Sequence, residues 1–109
     1  NIVNDQVGSP TYTKDLALLI SRMIQTKQYG TYHATNEGYT SWYEFAKKIF
    51  EESGINMKVN PIPSSEYPTK AQRPMNSRLA NENIDKVGLD RLPEWQDAIK
   101  RYLVDLKNI

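Results

Sequence analysis

From Lys14 to Gln25, the apolar residues Leu16, Leu19, Ile20, Met23 and Ile24 recur at three- and four-residue spacing, which predicts one face of a helix. Thr13 is placed to cap it, and Asp15 sits in its first turn, where the helix dipole favours a negative charge. Gly30 breaks the pattern, and Thr31 to Thr35 is short and rich in strand formers, so it reads as a buried strand ending at the Asn36-Glu37-Gly38 turn. Ser41 and Glu44 form a capping box that opens a second helix, with Trp42, Phe45, Ala46, Ile49 and Phe50 on one side and Gly54 as its stop.

Met57 to Ile62 alternates weakly and ends in proline, which suits a strand near a sheet edge. Residues 61 to 79 then carry Pro61, Pro63, Pro68 and Pro74 and follow neither period, predicting a long loop of the kind that usually has a task. Asn81 is placed to cap a short helix ending at Gly88. The last helix is predicted to start with Pro93 in its first turn and to bury a stripe of Trp95, Ala98, Ile99, Tyr102, Leu103 and Leu106. The expected order is helix, strand, helix, strand, loop, short helix, helix, with a further strand at the front.

This is an α/β pattern with about four helices and few short strands. So few strands make no self-sufficient sheet, and the chain reads as part of something larger. Asn1-Ile2-Val3 shows neither an initiator Met nor a targeting leader, which points the same way.

Composition narrows the chemistry. The 109 residues suffice for one small domain, and 14 Lys and Arg against 13 Asp and Glu leave a net charge of +1, with no basic run to attract nucleic acid or lipid. No apolar stretch is long enough to span a bilayer, and the absence of cysteine rules out disulfides and thiolate metal sites. A cytoplasmic protein without nucleic-acid or membrane partners is the expectation.

The five glycines, at 8, 30, 38, 54 and 88, allow neither G-x-G-x-x-G nor a phosphate loop, so no nucleotide-cofactor fingerprint can be written. His33 is the sole histidine and lacks clustered co-ligands, so a metal role is not expected. Tyr43 and Lys47 have the Tyr-x-x-x-Lys spacing that can activate a phenol, yet two residues four apart also arise by chance on any amphipathic helix. Glu51 and Glu52 read as a solvated face. Arg73-Pro74 offers either a preorganised fork for phosphate or carboxylate, or a surface ion pair. The turn Gly8-Ser9-Pro10-Thr11 delivers a helix amino terminus, where backbone donors and the Thr11 hydroxyl could meet an anion or a sugar hydroxyl, or serve only as a cap.

Four blocks in order, NDQVGSPTYTKDLA, GTYHATNEGYTSWYEFA, YPTKAQRPMNSRL and LPEWQDAIKRYL, cover nearly the whole chain. Together they resemble the carboxy-terminal part of the dTDP-4-dehydrorhamnose reductases, which are extended short-chain dehydrogenases. The resemblance implies a substrate-binding domain spanning residues 1–109, with an amino-terminal Rossmann cofactor domain elsewhere. It further implies hydride transfer from NADPH or NADH to the 4-keto group of dTDP-4-dehydro-L-rhamnose, with no cofactor bound to this portion and no catalytic residue within it. Tyr43 and Lys47 fall in a helix other than the family's catalytic one.

By the same resemblance Arg73 is expected to face the diphosphate. Gln6 and Thr11 are expected to hydrogen-bond sugar or phosphate, and Asn76 and Ser77 either to join them or to fix the loop. Ala80 stands where the family often has Asp at a helix cap, leaving that work to Asn81. A surface left for the cofactor domain could instead pair with a second copy in a homodimer. The competing expectation is a noncatalytic module like the regulatory subunit of methionine adenosyltransferase, which an upstream Tyr-x-x-x-Lys would argue against.

Overall fold

The computed structural model describes residues 1–108 and contains four helices and four two-residue strands. In chain order these are β1 (Ile2–Val3), β2 (Val7–Gly8), α1 (Thr13–Met23), β3 (Thr40–Ser41), α2 (Trp42–Ser53), β4 (Pro61–Ile62), α3 (Glu82–Lys86) and α4 (Trp95–Lys107). A single 3-10 turn at Ser64–Glu66 follows β4. β1 pairs parallel with β4, and β2 pairs antiparallel with β3. The Cα radius of gyration, 16.1 Å, exceeds the ~13 Å of a compact domain this size, so the layers are spread out.

Helix α2 follows its local signals closely. Ser41 accepts a hydrogen bond from the Glu44 N–H at 3.2 Å, and Gly54 closes the helix at φ 74°, a left-handed conformation that side chains disfavour. Helix α4 runs against α2 and buries Trp95, Ala98 and Ile99. A separate cluster of Leu19, Ile84 and Leu92, with Met23, Tyr32, Ala34 and Leu89 packed around it, joins α1 to α3.

Several expectations need correction. Thr13 does not cap α1. The cap position is Tyr12, whose N–H donates to the Asn36 side chain at 2.7 Å, so a residue distant in sequence does the capping. The buried face of α1 is centred on Asp15 and Leu19, while Ile20 and Ile24 remain 50% and 77% exposed.

Residues 31 to 35 form no strand. Their carbonyls are served by side chains instead: Asn83 donates to Thr31 O at 3.0 Å and Asn81 to Thr35 O at 3.3 Å. Asn81 therefore does not cap α3 with its side chain, which turns inward to Thr35. The strand expected over 57 to 62 shrinks to Pro61–Ile62. Pro93 precedes the α4 cap, Glu94, and its carbonyl accepts from Glu37 N–H and the Asn36 amide. Tyr102 and Leu106, expected on the buried stripe, stay about half exposed at 47% and 49%.

Candidate functional site

The site is organised by the segment from Asp5 to Pro10. Asp5 accepts from the Ser64 N–H at 2.9 Å and from the Ser64 hydroxyl at 3.0 Å, which fixes the start of the long loop. Val7 fixes its end: the Val7 N–H donates to Met75 O at 2.8 Å, and the Ser77 N–H donates to Val7 O at 2.7 Å. The Ser64 hydroxyl also reaches the Met75 sulfur at 3.6 Å. Residues 65 to 74 are thus an excursion closed at its base, as in an Ω-loop.

Arg73 stands two residues before the Met75 anchor. With Gln6, Ser77, Thr40, Trp42 and Phe45 it lines a cleft of about 390 Å³ beside β2. Three other arginines are engaged: Arg78 with the Asn76 side chain at 2.9 Å, Arg91 with Asp85 at 2.7 Å, Arg101 with Asp15 at 2.6 Å. Among the described residues Arg73 has no such acceptor, and it is exposed at the cleft.

The structure brings together Arg73, Gln6 and Ser77. It separates the other two candidates. Thr11 lies beyond Pro10 in a second, apolar cavity of about 290 Å³ under α4, and Phe45 stands between the two spaces. Asn76 turns its Oδ1 to the Arg78 backbone N–H at 3.0 Å and to the Arg78 guanidinium, and Arg78 lies over the Tyr39 ring at 5.3 Å. Asn76 therefore shapes the loop end. Tyr43 and Lys47 line a separate depression, with the ammonium 5.8 Å from the centre of the tyrosine ring.

Sequence reasoning took Trp42 and Phe45 as an apolar helix face and did not place them in the cleft. Their signal was position: Trp42 directly follows the cap, where the first turn looks out over the end of a helix.

A polar network borders the second cavity through Tyr12 and Asn36. Arg101 grips buried Asp15 through both carboxylate oxygens, at 2.6 and 2.7 Å, and Asn36 adds a hydrogen bond at 2.8 Å. The Arg101 hydrogen bonds hold the Asp15 carboxyl below its usual value, against the opposing effect of burial. The Tyr12 hydroxyl donates to Asp105, and that bond to a carboxylate pushes the phenol up to about 12. These groups hold α1, the 36–38 turn and α4 together.

Among the described residues no group of three or more His, Cys, Asp and Glu could hold a metal, and no helix is long and apolar enough to cross a membrane. Among the described residues no glycine-rich turn leads from a strand into a helix, and the Tyr12 N–H at the α1 cap donates to Asn36.

Fold and cleft together define an α/β domain of few short strands with an open cleft beside β2. A family model described as "RmlD substrate binding domain" matches residues 1–108, and the chain belongs to this family. It is 42% identical over 102 residues to the spore coat polysaccharide biosynthesis protein SpsK of Bacillus subtilis, covering 94% of this chain and 35% of that protein. It is 38% identical over 116 residues to the dTDP-4-dehydrorhamnose reductase of Escherichia coli, covering 96% of this chain and 38% of that one.

Among solved structures, a dTDP-4-dehydrorhamnose reductase from Clostridium acetobutylicum superposes with a TM-score of 0.92 at 42% identity, over 99% of this chain and 38% of that one. The Bacillus anthracis reductase, solved in complex with NADP, gives 0.90 at 38% identity over 95% of this chain and 36% of that one. The chain thus spans little more than a third of the length of these relatives.

Proposed function

We propose that this chain forms the nucleotide-sugar side of the active-site cleft of a dTDP-4-dehydrorhamnose reductase. In this reading an amino-terminal Rossmann domain of the same enzyme holds NADPH or NADH, and the 4-keto group of dTDP-4-dehydro-L-rhamnose is reduced to give dTDP-L-rhamnose in the cytoplasm. The chain's own part is to bind and orient. Arg73 holds the diphosphate, and Gln6 and Ser77 supply neutral hydrogen bonds beside it. The observation that carries the reading is the Arg73 guanidinium, which has no acceptor among the described residues and sits on a loop tied down at both ends, where little freedom is left to lose on binding.

In the full-length reductase, Arg73→Ala is expected to weaken substrate binding by about 1–3 kcal/mol, the usual cost of losing a charged hydrogen bond. The measurement is the dissociation constant of the nucleotide sugar, and an unchanged value removes Arg73 from the site. Arg73→Lys should recover only part of the loss, because an ammonium cannot reproduce the fork. The chain on its own is expected to show no NADPH oxidation with the keto sugar. Turnover by it would shift attention to Tyr43.

A further inference from the structure

We infer that Trp42 is the platform on which the thymine ring of the bound nucleotide stacks, making it a specificity-determining residue of the cleft; the inference rests on the reductase reading above. Trp42 is 59% exposed and lines the same cleft as Arg73. Its ring is buttressed from behind. Phe45 meets it edge-on with centroids 6.3 Å apart, and Phe45 in turn meets buried Trp95 at 6.1 Å. A chain of three edge-to-face rings therefore runs from the core to the cleft and holds the outermost one in place.

A cation and a supported aromatic face in one cleft are the two elements that recognise a nucleoside diphosphate, charge for the diphosphate and a π face for the base. The hexose could also lie on a tryptophan, but its keto carbon must reach a hydride donor. In the reductase reading that donor sits in the amino-terminal Rossmann domain, so the hexose extends toward that domain and the base is the ring left against Trp42.

The test is calorimetric binding of dTDP, of dTDP-L-rhamnose and of inorganic pyrophosphate to the full-length reductase and its variants. Trp42→Ala is expected to raise the dissociation constant for dTDP about tenfold, as loss of one base-stacking contact does, and Trp42→Tyr to recover most of it. Pyrophosphate, which has no base, should bind Trp42→Ala as it binds the wild type, whereas Arg73→Ala should weaken both ligands.

Unchanged dTDP affinity in Trp42→Ala overturns the inference and leaves the reductase reading intact. So does a loss confined to the nucleotide sugar, which would put the hexose on Trp42, and so does an equal loss for pyrophosphate, which would mark general damage to the cleft. A wild-type reductase that fails to bind dTDP overturns the broader reading and the inference with it.

Discussion

Replacing Asp15 with Ala is expected to destabilise the chain by about 3 kcal/mol, the lower end of the cost of breaking a buried ion pair. The lower end applies because Asp15 is 4% exposed while the Arg101 side chain keeps 37% of its surface in water, which screens the charge left behind. Asn36 loses a partner too, and with it the α1 cap loosens. Chemical denaturation at neutral pH measures the loss, and a change below about 1 kcal/mol would mean that the pair behaves as a surface salt bridge.

The same pair sets a pH dependence. Arg101 lowers the carboxyl's affinity for protons in the native state. Between the ordinary carboxylate value near pH 4 and the lower native one, the unfolded chain takes up a proton that the native chain refuses. Stability is therefore fully present above that range and falls as the pH drops through it. Asp15→Ala should flatten this acid limb without abolishing it, because Asp105 and Asp85 are also held low, chiefly by hydrogen bonds from Tyr12 and Arg91.

A loss of similar size is expected for Gly38→Ala, and it should reach the cleft. Gly38 has φ 89°, where a side chain costs about 1–2 kcal/mol. An added Cβ would also stand 3.0 Å from Trp95 Cδ1 and 3.2 Å from its Nε1. Trp95 is 7% exposed and held by Phe45, so the ring has little room to yield, and overpacking adds about 1–3 kcal/mol. Together these come to about 2–4 kcal/mol.

Gly54→Ala is the control. Its φ is 74°, but nothing lies within 4 Å of the added methyl, so only the backbone cost applies. Equal melting losses in the two variants would show that the Trp95 contact is not felt. Because the Gly38 carbonyl also accepts the Ser9 hydroxyl at 2.7 Å, movement of this turn should shift the Ser9-Pro10 wall and weaken ligand binding in the full-length enzyme.

The features legible in the sequence were those decided within a few residues. Ser41, Glu44 and Gly54 start and stop α2 through contacts inside their own turns, and the prolines after residue 60 announced a long loop. What could not be read depended on distant partners. Thr31 to Thr35 has strand-forming residues, but two asparagine side chains took the bonds that a neighbouring strand would have made. Asp15 looked like a helix-dipole residue because its partner, Arg101, lies 86 positions away.

Of the candidate site residues, Arg73, Gln6 and Ser77 share one cleft, while the Pro10 turn carries Thr11 into the neighbouring cavity, a separation that no local signal in the sequence could give. A charged residue four positions before Leu19, on the same helical face, was the available hint that Asp15 is buried.

The closed base of the 65–74 excursion has an evolutionary consequence. Both stumps are moored to one short stretch, Asp5 to Val7, so the tip is a side branch of the chain whose lengthening costs entropy only logarithmically. Lineages can therefore splice new residues into the tip and try out altered rims around the ligand, while the footing beneath the guanidinium stays where it was.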